Sequence, residues 1–226
     1  MTAQKQQIID RDKTLGTTDN PTPLMDILIN WFNEHQNPER GSWANESQIG
    51  TYNEINGIMK ITGVYGGAER IMPNADKAIK IIVEAIGSEE TPSAVVDVYN
   101  TWYAASRVLR HMRDYGDEHE QALSEEVVAE LRQKAPELIR DSAKKLAVFK
   151  KVDGSFSYTP NASSANSQGC PVTHENMPEG DVNATIICSS DILNYIYASL
   201  DIPDLRVPIF GEREMKRYID IVNSNY

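Results

Sequence analysis

The sequence predicts an all-α protein built from helical hairpins, and three observations lead to this fold class. Apolar residues recur at helical spacing in several segments, amphipathic helices alternate with helices that are apolar on most sides, and no segment alternates apolar and polar residues between hairpin turns. At 226 residues the chain is long enough to bury a large core. We expect residues 1–20 to be a polar N-terminal segment and residues 21–226 to form one helical-hairpin domain.

Amphipathic helices are the first kind of element. One is expected to begin after Asn74, a suitable N-cap, and to end at Gly87. Another is expected to begin at Pro136, because proline suits a first helical position; the preceding segment 124–134 is then a separate helix or the first half of a kinked one. The predicted amphipathic helices begin near Thr22, Asn74, Pro136 and Gly211.

Helices of a second kind lie between them. In segment 94–113, apolar residues surround most of the first three turns, which is typical of a helix buried on nearly every side, and segments 52–65 and 181–200 are similar. One amphipathic and one buried helix therefore recur roughly every 50–60 residues, and such hairpins must stack to bury their faces. Three hairpins and part of a fourth would form an arc. Such an arc could be a fragment of a longer protein, half of a dimer or complete in itself. We favour the fragment and expect further hairpins in the same or another chain.

Two similar turns follow amphipathic segments. Gln36 precedes Gly41 and Trp43 in one, and Gly154 precedes Phe156 in the other. Glycine allows the backbone to reverse, and the aromatic ring is large enough to pack beneath the turn. The first turn resembles the QW repeat of triterpene cyclases, and both resemble Gly-x-aromatic turns of the α/α-toroid superfamily, which includes terpenoid cyclases, protein prenyltransferase subunits and, more distantly, polysaccharide lyases. This resemblance implies an incomplete α/α toroid whose buried helices line a central cavity.

The resemblance does not extend to the catalytic motifs of the cyclases and prenyltransferases. The sequence contains neither Asp-x-Asp-Asp nor Asp-Asp-x-x-Asp, and Asp181 and Cys188 lack the spacing of the prenyltransferase zinc site. We therefore predict no metal and no cofactor. Cys170 and Cys188 are too few for a disulfide scaffold, and whether they pair stays open.

An asparagine recurs near the start of each buried helix, at Asn53, Asn100 and Asn183. Because a buried amide needs hydrogen-bond partners, the recurrence requires a reason. Either each asparagine bridges to a neighbouring turn, or the amides and nearby aromatic rings surround a polar ligand. The second hypothesis predicts the following ligand-binding residues: Asn53, Asn56, Tyr99, Asn100, Trp102 and Asn183.

Aromatic faces beside fixed hydrogen-bonding groups suit sugars, so we predict an oligosaccharide or other small-molecule ligand. The resemblance to toroidal polysaccharide lyases implies that asparagine neutralises a uronate carboxylate while Tyr103 or His174 transfers a proton. His174 lies in the long polar segment 157–180, which the toroid would place over the cavity mouth. The predicted function is binding or lyase-like cleavage of an oligosaccharide. The alternatives are a non-catalytic helical-repeat module or enzyme fragment, and an isoprenoid-binding or cyclase-like toroid without its acids.

Composition restricts the partners. A net charge of −11 argues against nucleic acid, and no apolar run approaches the ~20 residues of a membrane span. The first residues contain no apolar signal segment, so a soluble, cytoplasmic protein is expected. Three histidines are expected on polar or exposed helix faces: His35, His111 and His119.

Overall fold

The fold is all-α, as predicted. The computed structural model describes residues 2–16, 23–44, 49–164, 166–167, 170–171, 180–202 and 212–224. The helices are α1 (Thr2–Thr14), α2 (Leu24–His35), α3 (Thr51–Ala68), α4 (Ala75–Gly87), α5 (Val95–Tyr115), α6 (Glu118–Ala147), α7 (Val182–Ile186), α8 (Ile192–Ser199) and α9 (Glu212–Ser224). A π-helical turn, Ile187–Asp191, joins α7 to α8, and the two-residue strands β1 (Asn166–Ser167) and β2 (Cys170–Pro171) pair antiparallel.

Helix α5 lies at the centre of the packing and contacts α3, α4, α6 and α8. Trp102 of α5 is fully buried, and its indole N–H donates to Ser142 Oγ of α6 at 2.9 Å. The hydroxyl of Ser199 in α8 donates to the carbonyl of Trp102 at 3.2 Å. The prediction that this segment is buried on nearly every side is therefore confirmed, and α5 fixes the position of the helices around it.

The helices alternate between two rows. In one row α5 packs against α3 on one side and α8 on the other; in the second, α4 packs against α6. Neighbours in sequence connect the rows, since α2 contacts α3, α3 contacts α4, and α5 contacts both α4 and α6. The predicted buried segments 94–113 and 181–200 thus lie side by side, as helical hairpins stacked in sequence require.

The polar N-terminal segment contains a helix that the sequence pattern did not predict. Helix α1 contacts α2 and α3, and Lys5 Nζ lies 2.8 Å from Glu69 Oε1. Its sequence has little apolar periodicity, which is the signal on which helix prediction depends. Its position depends on tertiary contacts of the kind that a local pattern does not show.

Helix α6 does not begin at Pro136, so the predicted helix start was wrong, and segment 124–134 belongs to the same helix rather than to a separate one. The helix starts after Asp117, whose carboxylate accepts from Glu120 N at 3.0 Å, while Glu120 Oε2 accepts from Asp117 N at 2.9 Å. This reciprocal capping box fixes the N-terminus before the proline is reached. Pro136 is exposed, so water can reach the carbonyl of Arg132, which has no i+4 amide donor.

The two glycine turns have similar backbone geometry. Gly41 has φ 64° and Gly154 has φ 90°, both in the region that favours glycine. In each turn the serine after the glycine accepts a backbone bond, Ser42 at 2.7 Å and Ser155 at 2.8 Å. The first glycine also permits close packing, because a β-carbon at Gly41 would lie 2.4 Å from the carbonyl oxygen of Asn74. The turn is therefore held directly against the start of α4.

Gln36 and Trp43 explain why the first turn is rigid. Gln36 Nε2 donates to the Gly41 carbonyl at 3.1 Å, and its Oε1 accepts from Asn74 Nδ2 at 2.7 Å. Asn74 precedes α4 as predicted, but its side chain bonds Gln36 rather than capping the helix. Trp43 Nε1 donates to the Phe32 carbonyl at 2.7 Å, and the two rings meet edge to face at 5.9 Å. The glutamine thus joins two amphipathic helices, and the tryptophan packs the turn onto α2.

A buried ion pair anchors the same turn to α3. Glu54 has no exposed side-chain surface, and it accepts from Arg40 at 2.8 and 2.7 Å and from Ser42 Oγ at 2.6 Å. Burial raises the pKa of Glu54, but the hydrogen bonds from Arg40 and Ser42 and the arginine charge outweigh it, so the pKa is lowered overall. Glu54 is therefore ionised and paired at neutral pH.

Candidate functional site

A cavity of 410 Å³ lies between α5, the π-helical turn and α8, and we call it the tyrosine–arginine pocket. Helix α5 contributes a tyrosine, a serine and three arginines, the turn contributes an aspartate, and α8 contributes an asparagine, a second tyrosine and an alanine. Its described lining consists of Tyr103, Ser106, Arg107, Arg110, Arg113, Asp191, Asn194, Tyr195 and Ala198.

Stacked tyrosines form one wall of the pocket. The rings of Tyr103 and Tyr195 lie 4.2 Å apart at 22°, and Tyr99 meets Tyr195 edge to face at 5.3 Å. The guanidinium of Arg107 lies 4.8 Å from the centre of the Tyr103 ring and donates to its hydroxyl. Burial raises the pKa values of Tyr99 and Tyr195, so both phenols are neutral at neutral pH. The wall is an aromatic surface with a cation fixed beside it.

Three arginines follow one another at every third position of α5: Arg107, Arg110 and Arg113. Arg113 Nη1 lies 3.1 Å from Asp201 Oδ1 and is therefore paired. Among the described residues, Arg107 and Arg110 have no carboxylate within ion-pair distance. The pocket thus concentrates positive charge in a chain whose net charge is −11.

The π-helical turn places the polar side of the pocket. The amide of Ile192 donates to the carbonyl of Ile187, five residues earlier, which inserts one residue relative to α-helical register. Asp191, the last residue of the turn, and Asn194 both reach the pocket. Single π-helical turns within α-helices are frequent at functional sites, so the presence of this turn beside the pocket favours the pocket as a functional site.

The pocket contains part of the predicted site. Tyr103 lines it, and Tyr99 contacts Tyr195 in its wall. Trp102 lies in the core, where it bonds Ser142, and has no exposed surface for a ligand. His174 lies outside the described residues.

The asparagines do not occupy equivalent positions. Asn53 is the third residue of α3 and Asn183 the second of α7, whereas Asn56 and Asn100 are each the sixth residue of their helices. Asn56 and Asn100 are thus the pair at equivalent positions, and they contact each other, because Asn100 Nδ2 donates to Asn56 Oδ1 at 3.3 Å. Asn53 is exposed and donates to the carbonyl of Ile49 at 2.8 Å. None of these asparagines is part of the described lining of the tyrosine–arginine pocket, and the Asn56–Asn100 contact favours a structural bridge between α3 and α5.

His111 is buried, which contradicts its expected exposure. Only 1% of it is accessible, and neither ring nitrogen has a hydrogen-bond partner among the described residues. It packs against α3 where Gly66 leaves room, since a β-carbon there would lie 2.8 Å from His111 Nε2. Burial and the charges of Arg110 and Arg107 lower the pKa of His111 to about 4. The other histidines with that expectation are exposed: His35 and His119.

Arginine and tyrosine, rather than metal ligands, dominate the chemistry of the described residues. They include no group of three His, Cys, Asp or Glu placed to hold a metal ion. Cys188 is a free thiol, and burial, followed by the charge of Asp181, raises its pKa to about 12, so it is a poor nucleophile. Within the described part of the chain, no helix combines the length and apolar character needed to cross a bilayer.

The fold and the pocket together define an all-α protein with an open cationic and aromatic cavity. No protein-family model matches the chain, and neither curated proteins nor solved structures provide a match. The sequence reasoning missed Arg107, Arg110 and Arg113 as site residues. The sequence does contain a sign of these residues: they recur three residues apart on a mostly apolar helix, and no acidic residue lies three or four positions from Arg107 to pair with it.

Proposed function

We propose that this chain is a carbohydrate-active protein that binds an oligosaccharide in the tyrosine–arginine pocket. The observation that carries the proposal is the Tyr103–Tyr195 stack, 4.2 Å between ring centres, at the edge of an open 410 Å³ cavity. A sugar ring has an apolar face that packs on such rings and a fringe of hydroxyls that needs hydrogen-bonding partners. Asn194 and Asp191 supply donors and acceptors on the facing side of the pocket.

The lining argues against an isoprenoid ligand. Among the described lining residues only Ala198 is aliphatic, whereas a hydrocarbon chain needs a continuous apolar surface to leave water. A hydrocarbon chain beside Arg107 would also displace water from this guanidinium and offer it no hydrogen-bond acceptor. A polar ring compound is the better fit to this combination of side chains.

The proposed architecture is an arc of an α/α toroid, with further hairpins in the same or another chain. The two rows of helices and the similar turns at Gly41 and Gly154 support this arrangement. In such an arc the pocket lies on the row formed by α3, α5 and α8. Further hairpins in the reading frame around this sequence would support the toroid, and their absence from both the frame and any partner would oppose it.

A panel of neutral and acidic oligosaccharides, monitored by thermal shift, tests the proposed binding. We expect at least one to raise the melting temperature, and Tyr103→Ala or Tyr195→Ala to abolish that rise. Trp31→Ala is the control, because Trp31 is a half-exposed aromatic on α2 outside the pocket. Failure of every oligosaccharide to stabilise the chain would overturn the proposal.

The same panel separates binding from lyase-like cleavage. Cleavage would produce an unsaturated sugar with ultraviolet absorbance, and Tyr103 is the proposed proton-transfer residue because its hydroxyl lies in the pocket beside Arg107. Tyr103→Phe should then retain binding and lose the absorbance change. Binding without any absorbance change would exclude lyase-like cleavage of the bound oligosaccharide.

A further inference from the structure

Two of the three pocket arginines carry charge that no described carboxylate neutralises. Arg113 pairs with Asp201 at 3.1 Å, whereas Arg107 and Arg110 have no carboxylate partner among the described residues. Neighbouring like charges on a helix are destabilising. The only acidic side chain in the described lining is Asp191, in the π-helical turn. No described carboxylate therefore contacts these two arginines, and an anionic ligand group would supply the counter-charge.

Arg107 is already held in a defined position. Its guanidinium lies over the Tyr103 ring at 4.8 Å and donates to the phenol oxygen, and its side chain is only half-buried. Arg110 is exposed and lies three residues after Arg107 on α5, a separation of about 4.5 Å along the helix axis. Two guanidinium groups at this spacing can converge on one anionic group, and each has a planar donor fork that matches a carboxylate.

The position of this cationic pair relative to the tyrosines restricts the ligand further. A ligand that packs against the Tyr103–Tyr195 pair lies close to Arg107, because the Arg107 guanidinium lies over the Tyr103 ring. A carboxylate attached directly to the ring of such a ligand would be within reach of this guanidinium. A neutral sugar would bring no counter-charge to the two arginines, so it would lack the charge-assisted hydrogen bonds that a carboxylate makes.

We infer that the tyrosine–arginine pocket selects an acidic oligosaccharide and binds its ring-borne carboxylate through Arg107 and Arg110. This inference rests on the proposed carbohydrate-binding function. It adds that the carboxylate, rather than the hydroxyl pattern of the ring, is the main determinant of ligand choice.

Titration calorimetry on the whole chain tests the inference with three probes: a uronate oligosaccharide, the same oligosaccharide with its carboxylates reduced to alcohols, and a neutral oligosaccharide bearing sulfate esters. We expect the uronate form to bind about tenfold or more tightly than the reduced form, because only the uronate can form charge-assisted hydrogen bonds with the arginines. Arg110→Gln should bring the two affinities to within about threefold of each other, since one charged partner is lost. Arg140→Gln, an exposed substitution on α6 outside the pocket, is the matched control and should preserve the preference.

The outcomes separate this inference from the proposed function. Equal binding of uronate and reduced forms would overturn the inference and leave carbohydrate binding intact. Binding of the sulfated form as tightly as the uronate would overturn carboxylate selection in favour of general anion binding. Absence of binding by all three probes, with no hit in the oligosaccharide panel, would remove the proposed function itself.

Discussion

Replacing His111 with leucine should remove much of the loss of stability that the protein suffers as pH falls below neutral. The side chain is 1% exposed, has no hydrogen-bond partner for either ring nitrogen among the described residues, and lies near Arg107 and Arg110. Protonation would place an uncompensated charge in this site. The folded protein therefore keeps the imidazole neutral, with a pKa of about 4 against an ordinary value of 6.5.

The sign of the effect follows from the order of these two pKa values. The pKa is lower in the folded state, so the unfolded chain binds the proton first as pH falls, and stability is lost from about pH 6.5 down to about pH 4. The difference of about 2.5 between the values, multiplied by 1.36 kcal/mol, gives a total loss of about 3 kcal/mol. At about pH 4.5 the expected loss from His111 is already about 2.5 kcal/mol.

Urea denaturation of the natural protein and of His111→Leu, each at about pH 7 and about pH 4.5, measures this contribution. Carboxylates such as Glu54 titrate in both proteins, so the comparison between them isolates the histidine. We expect the natural protein to lose about 2 kcal/mol more than the variant between the two pH values. At pH 7 the variant should be as stable or more stable, because leucine removes two unsatisfied polar atoms. Equal losses in both proteins would refute the assignment of a buried, neutral imidazole.

Three further substitutions test the packing by chemical denaturation. Gly41→Ala should lower the free energy of unfolding by about 2 kcal/mol or more, because alanine would have to adopt a positive φ and its β-carbon would lie 2.4 Å from the carbonyl oxygen of Asn74. The control Gly57→Ala, on α3 with open space around it, should be neutral or stabilising. A small effect at Gly41 would show that the turn can move. Glu54→Gln should lower the free energy of unfolding by roughly 3 kcal/mol at neutral pH. Because the pKa of Glu54 is lowered in the folded protein, its ion pair stabilises the fold above the acid range, and the difference between natural protein and variant should shrink as pH falls. A difference that does not change with pH would contradict the ion pair. Trp102→Phe should cost about 2 kcal/mol, since it leaves a gap and the Ser142 hydroxyl without its donor, and Ser142→Ala in the same background should then add little.

The sequence predicted the helices whose boundaries are set by local signals. Alanine and isoleucine spacing located α4, and the apolar character of segment 94–113 identified α5 as a helix buried on nearly every side. The N-terminus of α6 was misplaced because Pro136 was given more weight than the capping box at Asp117 and Glu120. Helix α1 was missed because it has little apolar periodicity of its own.

The candidate site was predictable only in part. Tyr103 was predicted because it lies within one turn of Asn100 and is a residue type that can transfer a proton, whereas the three arginines were not predicted. Their significance depends on which residues of α8 lie opposite, and this is a property of tertiary packing. The asparagine alignment failed for a related reason, because helix starts taken from sequence differ by a few residues from the real ones. A shift of that size moves a side chain to another face of the helix.

The π-helical turn has a consequence for how this protein can change over evolution. Because the turn contains one residue more than an α-helix would, deleting a single residue between Ile187 and Asp191 would restore regular helix and rotate one side of the segment by about 100° relative to the other. Either the α8 wall, with Asn194 and Tyr195, would turn away from the arginines, or α7 would turn away from the core. One codon thus separates a chain with this pocket from one without it. When this chain is aligned with a chain that lacks the extra residue, a one-residue gap must be placed in the turn. Without that gap, the alignment pairs the wrong residues on one side of the turn.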